Sequence, residues 1–64
     1  MKVFIEKDNK LLELQKAFTA SELLKELRIN PSTVIIVKND EVALEDEQLD
    51  IDDEIKILSV ISGG

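Results

Sequence analysis

Neither cysteine nor histidine occurs in the 64 residues, and that double absence narrows the folds open to this chain more than any motif does. Disulfides and thiolate or imidazole metal sites, the usual staples of very small domains, are excluded. A stable fold must therefore come from packing alone. A chain this short buries only about 60% of its unfolded surface and has material for one core. The missing histidine also removes the commonest general base. A cysteine-free chain suits a reducing cytoplasm. Met1 leads directly into Val3-Phe4-Ile5 with no basic n-region, apolar h-region or spanning segment. The expectation is a soluble, cytoplasmic protein with no membrane partner.

Charge is unevenly placed. The formal net charge is −6, yet nine of the 14 acids fall between Asp40 and Glu54, where there is no base, leaving eight bases against five acids elsewhere. The excess negative charge repels a phosphate backbone. The only aromatics are Phe4 and Phe18, so basic residues interleaved with stacking rings are absent and nucleic acid is not an expected partner.

The pattern along the chain alternates strand and turn around one helical segment. Val3 and Ile5 alternate with Lys2, Phe4 and Glu6, the period of a half-buried strand. Lys7 to Lys10 is a turn centred on Asp8-Asn9, and Leu12 and Leu14 resume the alternation as the second arm of a hairpin. Thr19-Ala20-Ser21-Glu22 is a capping box, which predicts a helix from Thr19 to about Arg28. Its apolar stripe is Ala20, Leu23, Leu24 and Leu27, and Asn30-Pro31 stops it. The β-branched run Val34-Ile35-Ile36-Val37 predicts an inner strand, ended by Asn39-Asp40. Glu41 to Leu44 is a short strand or irregular edge, Glu45 to Glu54 an acidic loop anchored by Leu49 and Ile51, and Ile55 to Ile61 a last strand. The expected core is Val3, Ile5, Leu12, Leu14, the helical stripe, Val34, Ile36, Ile55 and Ile57. This order predicts an α+β fold of two layers.

Hairpin, one helix, inner strand, acidic connection and a last strand running into Gly63-Gly64 resemble the plan of ubiquitin and the β-grasp sulfur carriers. The resemblance covers the whole chain. It is carried by Glu22-Leu23-Leu24 with Leu27, Asn30-Pro31 with Val34, Asn39 and Glu41, Leu49 with Asp53 and Ile55, and Ser62-Gly63-Gly64. The group it resembles comprises the thiamin-biosynthesis sulfur carrier, the small subunit of molybdopterin synthase and the archaeal small modifiers. The chain departs from the family pattern in carrying Asp40 and Asp52 where glycine is frequent. It also has Ser59-Val60-Ile61-Ser62 where a proline often precedes the diglycine.

The resemblance implies a ubiquitin-like β-grasp domain over 1–61, with a mixed four- to five-stranded sheet and one helix on one face, and a flexible tail over 62–64. It implies that the Gly64 carboxylate attacks the α-phosphate of ATP in a partner enzyme and that sulfur then replaces AMP to give a thiocarboxylate. Gly63 and Ser62 thread the enzyme's channel. Glycine suits this because, without Cβ, it presents an unhindered carbonyl in any backbone conformation. The implied partners are a ubiquitin-activating-type adenylyltransferase, a sulfur donor and a downstream sulfur-accepting synthase, in cofactor or tRNA thiolation. The chain itself binds no cofactor, ATP being used by the partner, and it is a monomer when free.

Alternation places Phe4, Ile35, Val37, Leu58 and, beyond them, Val60 on the sheet face that no helix covers. That face is either a partner-docking surface or is covered in part by the stems of Lys2, Lys38 and Lys56. Two other functions stay open: a modifier joined to lysines through Gly64, and a non-catalytic β-grasp interaction module, which needs no diglycine end. The residues offer no nucleophile–base pair, phosphate-cradling loop or metal cluster, so the chain is not expected to be an enzyme.

Overall fold

The alternating ends of the chain come together to build the middle of the sheet. In a computed structural model that describes residues 1–60, strand β1 (Lys2–Ile5) runs parallel to the last strand, β7 (Glu54–Ser59), with Val3 opposite Ile55 and Ile5 opposite Ile57. All four are buried. Strand β2 (Lys10–Glu13) pairs antiparallel with the outer side of β1. Strand β4 (Val34–Lys38) pairs antiparallel with β7, and β5 (Glu41–Ala43) completes the far edge, giving the order β2-β1-β7-β4-β5. The predicted α+β architecture is present, and its sheet has five strands.

The β1–β2 connection differs from the expected Asp8-Asn9 turn. The strand stops at Ile5, a 3-10 turn spans Glu6–Asp8, and Asn9 alone takes the left-handed conformation, with φ 48° and ψ 46°. The Asn39-Asp40 turn does behave as its residues suggest. Both have positive φ, 50° and 69°, as the type I′ turn of a two-residue hairpin requires. Asp52, also at a position where glycine is frequent, is not left-handed.

Helix α1 (Ala20–Glu26) lies against one face of the sheet and buries Ala20, Leu23 and Leu24. Both bonds of the capping box form: the Glu22 N–H donates to Thr19 Oγ1 at 3.2 Å, and the Thr19 N–H donates to Glu22 Oε1 at 2.9 Å. The helix ends before Asn30-Pro31, for a local reason. Arg28 has φ 59°, the Ile29 N–H donates to the Leu24 carbonyl at 2.9 Å and the Arg28 N–H to that of Lys25 at 3.1 Å. That pair of bonds is a Schellman motif, with an arginine where glycine is usual.

The core is wider than the sequence suggested. Met1, Phe18, Ala43 and Leu49 are buried in it, whereas Leu12, Leu14, Leu27 and Val34 are only partly buried against it. Phe18 and Leu49 are drawn in by a small second sheet, in which β3 (Phe18–Thr19) pairs antiparallel with β6 (Gln48–Leu49). The acidic segment is thus pinned by Leu49, which is fully buried. Ile51 does not anchor it: its side chain is 49% exposed. No helix among the described residues is long and apolar enough to cross a membrane.

Candidate functional site

Because β1 and β7 bury Val3, Ile5, Ile55 and Ile57 toward the helix, the alternate residues of the same strands stand on the other face. The register fixes their neighbours across the sheet. Leu11 is opposite Phe4, Phe4 opposite Lys56, Lys56 opposite Val37, and Val37 opposite Val42. One continuous row therefore crosses all five strands, four residues of it apolar and one a lysine. Ile35 and Leu58 form the adjacent pair toward the C-terminal end of β7.

Toward the start of β7 the face turns polar, with Lys2 opposite both Glu13 and Glu54. The apolar part of the open face is thus displaced toward the end at which the chain leaves β7 for residues 61–64. Phe4, Val37 and Leu58 are half-buried among their neighbours, Ile35 is 40% exposed, and Val60 is exposed just beyond the strand, where its N–H donates to the Thr33 carbonyl at 3.0 Å. By register Phe4, Ile35, Val37 and Leu58 share that face, and Val60 follows just past the end of β7. Two further members went unread in the sequence: Leu11, 65% exposed, and Val42, 70% exposed. Leu11 was hidden because Leu12 and Leu14 carried the expected alternation, and Val42 because three residues of edge strand give too short a period to read.

Lysine cover of this face is less than expected. Lys38 stands on the opposite face, opposite Ile55, where its Nζ donates to the Gln48 carbonyl at 3.0 Å and lies 3.5 Å from Glu47 and 3.7 Å from Asp53. It ties the acidic segment down from the helix side. Lys56 is the lysine that rises from the apolar row.

A hollow of about 470 Å³ on the helix side has an apolar floor of Ile5, Ile29, Val34 and Ile57, with Lys7, Asp8, Arg28, Asn30, Thr33 and Ser59 around it. No His, Cys, Asp or Glu cluster suited to a metal ion occurs among the described residues. Gly64, Gly63 and Ser62, expected to carry the chemistry and to form a flexible tail, lie outside the described residues.

The parallel pairing of first and last strands at the sheet centre, the single helix on one face and the open opposite face define a ubiquitin-like β-grasp protein. Solved structures bear out the fold. The crystal structure of the thiamine biosynthesis protein ThiS from Geobacter metallireducens covers all of this chain and all of its own with a TM-score of 0.68 at 20% identity. The solution structure of a thiamine biosynthesis protein from the same organism gives 0.62 at 19% identity, over all of this chain and 88% of its own. Sulfur carrier protein TtuB of Thermus thermophilus is 33% identical over 57 residues, 89% of this chain and 88% of the relative. The model of the ThiS family matches residues 2–64, and the chain belongs to that family.

Proposed function

We propose that this chain is a sulfur carrier whose Gly64 carboxylate is the working group. A partner enzyme of the ubiquitin-activating type binds the open sheet face and receives residues 61–64 in its active site. There the carboxylate attacks the α-phosphate of ATP and pyrophosphate leaves. Hydrosulfide released by a sulfur donor then attacks the acyl carbon, AMP departs as the carbon–sulfur bond forms, and the S–H proton is lost to water. The resulting thiocarboxylate gives its sulfur to a downstream synthase in cofactor or tRNA thiolation. The chain contributes no catalytic group. It presents the terminal acyl group and the surface by which the enzyme recognises it.

One observation carries this reading: the family match runs through Gly63 and Gly64. The relative named a sulfur carrier, alike over nine-tenths of the chain, supports it. The position of the apolar patch at the end of the sheet from which the chain continues toward Gly64 agrees with a mechanism in which docking and threading happen together. A free terminal carboxylate, with an ordinary pKa of about 3.3–3.7, is ionised at neutral pH and ready to attack.

Intact mass spectrometry of the protein made in its own host tests the proposal. A species heavier by one sulfur-for-oxygen exchange at Gly64 is expected. Adducts joined through Gly64 to lysines of other proteins, with no thiocarboxylate, would point to a modifier instead. A chain always recovered with an unmodified carboxylate, even with the activating enzyme and sulfur donor present, contradicts both.

A further inference from the structure

Lys56 occupies the one charged position in the apolar row. Phe4 and Val37 flank it in register, and Leu11 and Val42 lie beyond them. Its side chain is 53% exposed, and its one ion pair among the described residues is a contact of 3.9 Å with Asp40 Oδ1, itself almost fully exposed in the β4–β5 turn. A contact that long and that wet contributes close to nothing. The ammonium is therefore available to a partner.

Its position makes it consequential. Any surface that covers Leu11, Phe4, Val37 and Val42 together must also strip water from the ammonium between them, and an uncompensated buried charge is strongly unfavourable. A wholly apolar partner surface is penalised, and a basic one more so. A second copy of this chain is also disfavoured, because a two-fold pair centred on the row sets Lys56 against Lys56.

We propose that Lys56 is the specificity-determining residue of the open face, pairing with an aspartate or glutamate set in the apolar docking surface of the activating enzyme. This rests on the reading of that face as the enzyme's docking surface. Apolar neighbours supply contact area, and the central charge decides which apolar surface is accepted.

The test measures Kd for the full chain with the activating enzyme by calorimetry, and KM and kcat in ATP–pyrophosphate exchange. Wild type is compared with Lys56→Arg, Lys56→Met, Lys56→Glu and, as a probe of docking itself, Val42→Asp. Lys56→Met keeps the stem and removes the charge. It is expected to raise Kd and KM at least about 30-fold by leaving the enzyme's carboxylate unpaired. Lys56→Glu is expected to raise them further, and Lys56→Arg to stay within a few-fold of wild type. The kcat at saturation and the melting temperature should be unchanged in all three. The loss of affinity with added salt that comes from the Lys56 pair should be present in wild type and absent in Lys56→Met, so the salt dependence of the two chains should differ. If Val42→Asp weakens binding but Lys56→Met binds as wild type does, the inference is overturned and the docking reading survives. If Val42→Asp and Lys56→Glu both bind as wild type does, or wild type forms no complex with the activating enzyme, the docking reading falls and the inference with it.

Discussion

Asn39 and Asp53 are joined by a hydrogen bond of 3.0 Å, in which the amide Nδ2 of Asn39 donates to Oδ1 of the carboxylate. The amide oxygen of Asn39, Oδ1, accepts the Glu54 N–H at 3.0 Å, and Oδ2 of Asp53 accepts the Asp50 N–H at 2.8 Å. A hairpin turn and the acidic segment are thereby locked together beside the start of β7. The Asp50 N–H chiefly, then the Asn39 amide, then nearby Lys38 favour the ionised form and hold the Asp53 carboxyl below its usual range.

That lowering sets a pH dependence with a definite sign. A carboxyl whose pKa falls on folding adds stability that is fully present above the unfolded value of about 3.9, and this is lost as pH falls through the folded value. Thermal unfolding followed from pH 7 down to pH 2 should therefore show stability declining below about pH 4. Asp53→Asn should be destabilised by about 1 kcal/mol at pH 7 and show a shallower decline. An identical acid limb in both proteins would rule out this role for Asp53.

The capping box makes a second expectation. Thr19→Ala removes the acceptor for the Glu22 N–H and should cost about 1 kcal/mol, read as a fall in melting temperature of about 4–8 °C for a domain this size. Glu22, whose carboxyl is lowered mainly by its bond from the Thr19 N–H, should titrate closer to an ordinary glutamate in a Thr19→Pro chain, which lacks that N–H. Carboxyl chemical shifts across a pH titration report it.

Leu49 and Ile51 lie two residues apart in the acidic segment and should respond oppositely to truncation. Leu49→Ala empties a fully buried site and should cost about 2–5 kcal/mol. Ile51→Ala, at an exposed site, should change stability by no more than about 0.5 kcal/mol. Denaturant midpoints of the two variants decide it, and comparable losses would mean that both side chains anchor the segment.

The same pair shows where the sequence could be read and where it could not. Both residues are apolar in a run of acids, and nothing local tells which one points inward. That is settled by Leu49 pairing with Phe18 across the small second sheet, a contact between residues 31 positions apart. The capping box, the strand alternation at both ends and the Asn39-Asp40 turn were legible because each depends on neighbours within a few residues. The helix ends within two residues of the expected Arg28, but the cause was not legible: a Schellman motif closes on Arg28, a residue type that gives no warning of positive φ, rather than Asn30-Pro31 stopping the helix. On the candidate site, alternation gave Phe4, Ile35, Val37 and Leu58. Leu11 and Val42 came only with the cross-strand register.

Those two residues make the docking face testable with little risk to the fold. Leu11→Asp and Val42→Asp alter side chains that are mostly exposed, so their melting temperatures should stay within a few degrees of wild type. Adenylation by the activating enzyme should nevertheless weaken at least about 10-fold in kcat/KM. Unchanged kcat/KM in both would move docking to another surface.

The most direct test of the central proposal is ATP–pyrophosphate exchange by the activating enzyme, with the wild-type chain compared with one lacking Gly64. Wild type is expected to support exchange and the deletion to abolish it. Equal exchange with both chains would contradict the assignment of Gly64 as the group that is activated.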